Sequence, residues 1–462
     1  MPGPGAAGDA TAGETKLRVD GAAERDHHRH MVFDIGKVVV LGANGAMGAG
    51  SAMVFAAAGI PTVLLARTRD KARLGQARVE KLAKSEAIAR FLSIGTYDDD
   101  LEREVAAADL VFEAVSEELD LKRAMFARID AHRRPATVIA TVSSGLSIAG
   151  LCAGRSDDFR RHFLGVHFFN PPSVITGCEL VPHAGTDPVV TAGFGALLRG
   201  RLGRALIVTA DTPAFCGNRV GFKVLNECAQ LALAHGVAYV DALIGPHTGR
   251  AMAPLATIDF VGWDVHRAIV DNLHDHTCDE AHAAFALPVY MDMLIDAGHL
   301  GDKTEEAGGF FRRLGRGPDA ARFVLDPRTR EYLPATRVEV PALAARMKGL
   351  HRVGRYREAL AAFADADGDD ATLMRQVILG YVSYGLGRVG TVVEATADVD
   401  RIMGQGFNWA PPGLLVDLIG ARRTVALLDA ARLPVPPVVI DAAERGAPLH
   451  TEPGDPGRYF VA

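Results

Sequence analysis

Short, nearly continuous apolar runs alternate with amphipathic stretches through the first half of the chain. Lys37-Val38-Val39-Val40-Leu41, Pro61-Thr62-Val63-Leu64-Leu65, Asp109-Leu110-Val111-Phe112-Glu113-Ala114-Val115 and Thr137-Val138-Ile139-Ala140-Thr141-Val142 each read as a buried strand. Between them the apolar residues take helical spacing. A helix of small residues runs to Ala58-Gly59, a basic-leaning amphipathic helix covers residues 71–92, and another runs from Lys122 to Ile129. This alternation predicts an α/β, doubly wound parallel sheet. From Pro213 the strand pattern stops. A long helix is expected over residues 217–236, closed by Gly236, with a second beginning near Tyr239-Val240-Asp241 and a third after Pro254.

The loop after the first strand is Gly42-Ala43-Asn44-Gly45-Ala46-Met47-Gly48. A strand, a glycine turn and a helix in that order let the backbone approach a pyrophosphate at the helix N-terminus. This marks a Rossmann-type dinucleotide site, with one residue more than the usual G-x-G-x-x-G. The second strand ends without the carboxylate that holds the ribose hydroxyls of NAD; Ala66-Arg67-Thr68-Arg69 stands there instead. Guanidinium groups suit a 2′-phosphate, so NADP is favoured over NAD.

A second chemical signal lies in Gly165-Val166-His167-Phe168-Phe169-Asn170-Pro171-Pro172 and the later apolar run Cys178-Glu179-Leu180-Val181. Two extended segments joined by a proline turn fold back on each other. Their pairing sets Glu179 against His167 as a general base with a fixed tautomer. The competing reading is a core histidine satisfied by a backbone carbonyl. Glu117 and Ser144 follow the third and fourth apolar runs, where a parallel sheet delivers functional side chains.

Composition narrows the class. The 462 residues carry a net charge of −6, which gives no basic balance for nucleic acid. No apolar run is long enough to span a membrane, and no signal-peptide pattern follows the N-terminus. Cys152, Cys178, Cys216, Cys228 and Cys278 are odd in number and lack C-x-x-C spacing, as expected of reduced thiols in a cytoplasmic protein. His266, His274, His276, Cys278 and His282 are too loosely spaced to predict a metal.

These motifs together resemble the 3-hydroxyacyl-CoA dehydrogenase family. The resemblance runs through Phe159 to Pro172, Asp211-Thr212-Pro213-Ala214-Phe215-Cys216-Gly217-Asn218-Arg219 and Asp259-Phe260-Val261-Gly262-Trp263-Asp264. It implies oxidation of an (S)-3-hydroxyacyl-CoA by a nicotinamide cofactor, or the reverse, with CoA or a carrier protein bearing the acyl group. It also implies roles by position. His167 matches the base, Glu179 its carboxylate, and Ser144 and Asn218 substrate contacts. Gly42, Gly45, Ala46, Met47, Gly48, Arg67, Glu117, Lys122, Asn170 and Lys303 fall at or beside the cofactor. The departures are Val142 in place of an asparagine, Ala214 in place of a glycine, the longer glycine loop and the missing acid. Two other readings share these motifs: a dehydrogenase of free 3-hydroxy acids, and a catalytically retired NADP(H) sensor or scaffold.

Val240-Asp241-Ala242-Leu243-Ile244 and Asp259-Phe260-Val261-Gly262 are echoed by Val399-Asp400-Arg401-Ile402-Met403 and Asp417-Leu418-Ile419-Gly420. A repeat this long suggests a duplicated helical domain, as in long bacterial members of the family, with the second copy a structural partner. The expected organisation is a disordered lead over residues 1–35, in which His27, His28 and His30 are solvated. A dinucleotide-binding domain covers 36–210, a helical substrate domain 211–304, a linker 305–340, a second helical copy 341–445 and a tail 446–462. The resemblance to the long members leaves any hydratase step to a separate protein. The second copy is compatible with a monomer or a homodimer.

Overall fold

The computed structural model describes residues 35–304, 306–315, 317, 320–336, 339–452 and 454–460. The expected lead and its histidines lie outside this range, apart from Ile35. Eight strands form one sheet: β1 (Val38–Leu41), β2 (Thr62–Ala66), β3 (Leu92–Thr96), β4 (Leu110–Glu113), β5 (Val138–Thr141), β6 (Phe163–Phe168), β7 (Gly177–Pro182) and β8 (Ala205–Val208). Their order is β3-β2-β1-β4-β5-β6-β7-β8. Every neighbouring pair is parallel except β6 and β7. β1, β2, β4, β5 and β6 are buried along their whole length, because helices cover both faces. The apolar runs of the sequence are therefore the sheet, flanked by the helices expected of a doubly wound fold.

The amphipathic stretch expected over 71–92 divides. The helix is Arg69–Ala83, a 3₁₀ segment covers Glu86–Phe91, and β3 begins at Leu92. β3 is an edge strand with an exposed Ser93 and a glycine, so it lacks the apolar signature of its neighbours. The helix Ala46–Ala57 packs on the sheet through Phe55, whose ring lies 5.3 Å from Phe112. Its Gly50 faces Pro172; a Cβ there would lie 2.8 Å from the proline Cδ.

The helical half begins with Gly217–His235, followed by Val237–Leu243, Pro254–Val261, Trp263–His276 and Val289–Asp296. Residues 305–340 hold more than a linker. β9 (Phe311–Leu314), β10 (Ala321–Asp326) and β11 (Glu331–Pro334) form an antiparallel sheet in the order β11-β10-β9. Charged residues interrupt the short apolar stretches there, as Arg312 and Arg313 do in β9, Arg322 and Asp326 in β10 and Glu331 in β11, which hides the strand pattern.

Ala342–Arg352, Tyr356–Asp365, Asp369–Leu386, Thr396–Ile402, Pro412–Ile419, Ala421–Ala430 and Pro437–Arg445 complete the chain. The sequence repeat has a structural counterpart. Asp241 accepts hydrogen bonds from the Leu255 and Ala256 amides, and Asp400 accepts one from Gly413. Asp259 accepts from the Phe310 and Phe311 amides, and Asp417 from Leu449 and His450. Arg250 and Trp409 each follow their repeat aspartate, Asp241 or Asp400, at the same interval. They pair with each other in an antiparallel bridge, and the buried guanidinium lies 4.7 Å from the indole centroid. Equivalent residues meeting antiparallel is the contact that a local two-fold axis produces. Among the described residues no helix is long and apolar enough to cross a membrane.

One histidine joins both aspartates of the second copy. His450 Nε2 lies 2.7 Å from Asp400 and Nδ1 2.8 Å from Asp417. The Asp400 carboxylate and then that of Asp417 raise the imidazole to about 10. Its stabilisation is complete below the ordinary histidine value near 6.5 and is lost as pH rises towards about 10. His450→Gln is therefore expected to lower unfolding free energy by ~1–3 kcal/mol at pH 6, with the difference shrinking at pH 9.5. Urea unfolding at the two pH values measures this; an equal difference at both would show that the charge plays no part.

Candidate active site

The glycine loop closes as a tight turn. Gly42 has φ +74°, and a Cβ there would sit 2.1 Å from the Ala114 carbonyl oxygen. Gly45 N–H donates to the Gly42 carbonyl at 3.0 Å and precedes the helix that starts with Ala46 and Met47. A Cβ on Gly48 would lie 2.3 Å from the Gly42 oxygen. The extra residue is thus absorbed before the helix, and the helix N-terminus remains the end of the loop. Gly75, in the next helix, seats against the Ala43 carbonyl, where a Cβ would approach to 2.6 Å. This tight backbone cradle fits a dinucleotide pyrophosphate. Arg67 is exposed immediately after β2. Tyr97, beyond β3, was not legible in the sequence because that strand was not. Its hydroxyl accepts from Gly42 N–H at 2.8 Å, and burial pushes the phenol pKa above its ordinary value.

The ends of β4 and β5 are tied by Glu117. One of its oxygens accepts from Ser143 Oγ at 2.5 Å, Ser144 N–H at 3.0 Å and Gly145 N–H at 2.9 Å. Burial pushes the carboxyl up, but Lys122, the Ser143 hydroxyl and the two amides outweigh it and hold the group below its ordinary value. Ser144 is half-exposed at the same rim. Lys122 Nζ lies 3.3 Å from Glu117 and donates to both oxygens of Glu113, at 2.9 and 3.0 Å. Both Lys122 and Glu113 are fully buried. Glu113 also accepts from Thr141 Oγ1 at 2.6 Å and Val115 N–H at 2.6 Å. Sequence reading missed Glu113, which ends an otherwise apolar run; the lysine nine residues later was the available signal.

His167 and Glu179 stand directly opposite each other on antiparallel β6 and β7. Nδ1 and the carboxylate Oε2 are 2.6 Å apart. The other oxygen, Oε1, accepts from the Cys216 and Gly217 amides, each at 2.9 Å, at the start of the helix Gly217–His235. A fully buried carboxylate is thereby satisfied by an imidazole and a helix N-terminus. With its proton on Nδ1, the ring presents Nε2 as an acceptor, and Asn218 Nδ2 lies 3.4 Å from it. Phe169 meets the imidazole edge-on at 4.8 Å and Phe215 flanks it at 5.7 Å. Ala214 and Phe215 have φ of +57° and +55°, so the hinge carries left-handed backbone without a glycine. Cys178 and Cys216 border Glu179; burial, then that carboxylate, push both thiols up.

The chain thus gathers His167, Glu179 and Asn218 in one cluster and Glu117, Lys122 and Ser144 in another. Asn170 is exposed at the proline turn. Lys303 is engaged on the helical side, with Nζ 2.6 Å from Asp264 Oδ1 and its chain against Gly262. Among the described residues, no group of three or more histidine, cysteine or acidic side chains is placed to hold a metal.

Two family profiles match in succession: the 3-hydroxyacyl-CoA dehydrogenase NAD binding domain over residues 37–212 and the C-terminal domain over 215–310. A probable 3-hydroxyacyl-CoA dehydrogenase of Bacillus subtilis is 29% identical over 448 residues, covering 91% of this chain and 55% of that protein. The chain therefore spans little more than half the length of that relative. A probable 3-hydroxyacyl-CoA dehydrogenase of Deinococcus radiodurans is 33% identical over 293 residues, covering 60% of this chain and 83% of the relative. The crystal structure of an Escherichia coli 3-hydroxybutyryl-CoA dehydrogenase shares the fold, with a TM-score of 0.66 at 22% identity over 89% of this chain and 99% of that one. Motif, sheet topology and matched profiles agree: the chain belongs to the 3-hydroxyacyl-CoA dehydrogenase family.

Proposed function

We propose that this chain interconverts an (S)-3-hydroxyacyl-CoA and the 3-oxoacyl-CoA, using a nicotinamide dinucleotide. The observation that carries this reading is the 2.6 Å contact between His167 Nδ1 and Glu179, with Nε2 left facing Asn218. The relatives' names support the substrate class. Gly42, Gly45, Ala46, Met47 and Gly48 would hold the cofactor pyrophosphate, with Glu117 and Asn170 at the nicotinamide side. Lys122, being fully buried, acts on that side through Glu117. The bound nicotinamide supplies the hydride acceptor for oxidation and the donor for reduction.

In oxidation His167 Nε2 takes the proton of the 3-hydroxyl group. The imidazolium that results is stabilised by Glu179, whose second oxygen stays on the two helix amides. Asn218 Nδ2 and the Ser144 hydroxyl donate to substrate oxygens. In reduction the same Nε2 returns the proton. His167→Ala is expected to lower turnover of acetoacetyl-CoA by ~10²-fold or more while cofactor affinity is retained. Initial rates and a fluorescence titration of reduced cofactor measure both; full turnover in the variant would remove His167 from the role of base.

The cofactor is proposed to be NADP. Arg67 is exposed at the end of β2, where an NAD enzyme carries an acid, and it lies close enough to Tyr97 to influence its ionisation. Arg67→Ala should weaken NADPH binding by about tenfold and leave NADH unchanged, the loss of one charge-assisted phosphate contact. Equal affinities for NADPH in the variant and the native chain would contradict it.

A further inference from the structure

The second helical copy reaches the base. Between the helices Thr396–Ile402 and Pro412–Ile419, Met403–Phe407 forms one turn of π-helix. Such turns recur at functional sites because they re-aim a side chain. Here the turn drives Phe407 against Phe169, ring centroids 5.7 Å apart and planes at 70°. Phe169 in turn meets the His167 imidazole at 4.8 Å. The approach is close on every side. A Cβ on Gly221 would lie 2.2 Å from the Phe407 ring, and one on Gly217 would lie 2.6 Å from the Phe169 ring. A Cβ on Gly406 would lie 3.0 Å from Phe169, and one on Gly177 would meet the Gly406 Cα at 2.6 Å. Thr176 donates to Gln405 at 3.2 Å, which joins the turn to the residue before β7. Phe169 is therefore enclosed by the base, by the start of the helix Gly217–His235 and by the second copy, with no room to swing away while Phe407 is present.

We propose that Phe407 is a positioning residue: through Phe169 it fixes the orientation of the His167 ring, so that the second helical copy completes the site of the first. Glu179 anchors one nitrogen of the imidazole, and the freedom left to the ring is rotation about its Cβ–Cγ bond. Phe169 removes this freedom only while Phe407 backs it. The duplicated copy, which brings no strands to the sheet that carries the site, thus contributes to catalysis through a wall of aromatic rings.

This inference rests on His167 being the base. The test compares Phe407→Ala and the milder Phe407→Leu with Leu428→Ala, a buried position in the helix Ala421–Ala430 of the same copy. Turnover of acetoacetyl-CoA, cofactor affinity, melting temperature and the pH dependence of kcat/KM are recorded for each. Phe407→Ala is expected to lower kcat by roughly tenfold to a hundredfold and to move the acidic limb of the pH profile, with cofactor affinity unchanged. Phe407→Leu should fall between it and the native chain and provides the reading if the alanine variant does not fold. Leu428→Ala should lose melting temperature while keeping kcat and the native pH profile. If the Phe407 variants lose only melting temperature, as Leu428→Ala does, Phe407 is structural and the proposal is overturned. A His167→Ala variant that retains turnover would overturn the base assignment instead, so the two failures are distinct.

Discussion

The fold depends on how one buried carboxylate is satisfied. Glu179 has no exposed surface, and an ionised carboxylate in such a place needs several strong donors. It finds them in two parts of the chain. The imidazole comes from the neighbouring strand β6, and two amides come from the first turn of the helix that opens the helical half. One side chain therefore ties the sheet to the helices and holds one nitrogen of the His167 imidazole. The sheet reverses direction once, between β6 and β7, at the pair that bears His167 and Glu179, and β8 follows β7 in parallel. The register of that pair sets position 179 directly across from position 167. The left-handed backbone at Ala214 and Phe215 is the geometry by which the chain turns from the sheet to present those amides.

The second feature is the placement of charge at the ends of β4 and β5. Glu113 and Lys122 form a pair without solvent, and the lysine uses its remaining contact on Glu117. Glu117 then holds the Ser143–Gly145 backbone. Breaking such a pair by removing one partner strands the other charge, so the pair constrains the loop more than a surface ion pair would. The helical copies add an aromatic wall on the opposite side of the imidazole. The rings lie against the imidazole, whereas the charged cluster anchors the Ser143–Gly145 backbone.

Much of this was legible in the chain. The apolar runs of β1, β2, β4 and β5 stand out because both faces of those strands are covered, and the glycine loop follows the first of them. The facing of His167 and Glu179 followed from two extended runs around a proline turn. The aspartate repeat disclosed the duplication. β3 was not legible, since its exposed Ser93 and its glycine interrupt the apolar signal, and β8, although wholly apolar, was not singled out. Tyr97 was lost with β3. β9, β10 and β11 were hidden because charged residues break up their short apolar stretches. The contact of Phe407 with Phe169 joins residues far apart in the chain, and no local pattern encodes it. Lys122 was expected at the cofactor itself; its burial against Glu113 depends on the packing of the β4–β5 loops, which spacing alone does not reveal.

The contact with Glu179 sets the proton of the neutral imidazole on Nδ1 and leaves Nε2 as the acceptor. ¹⁵N NMR of the histidine-labelled protein, with the His167 signals assigned by comparison with a His167→Gln variant, reads the tautomer directly. The neutral ring is expected to show a proton-bearing Nδ1 and a bare, acceptor-type Nε2. A neutral ring protonated at Nε2 would contradict it, because the nitrogen facing Asn218 would then be unable to take a proton from substrate.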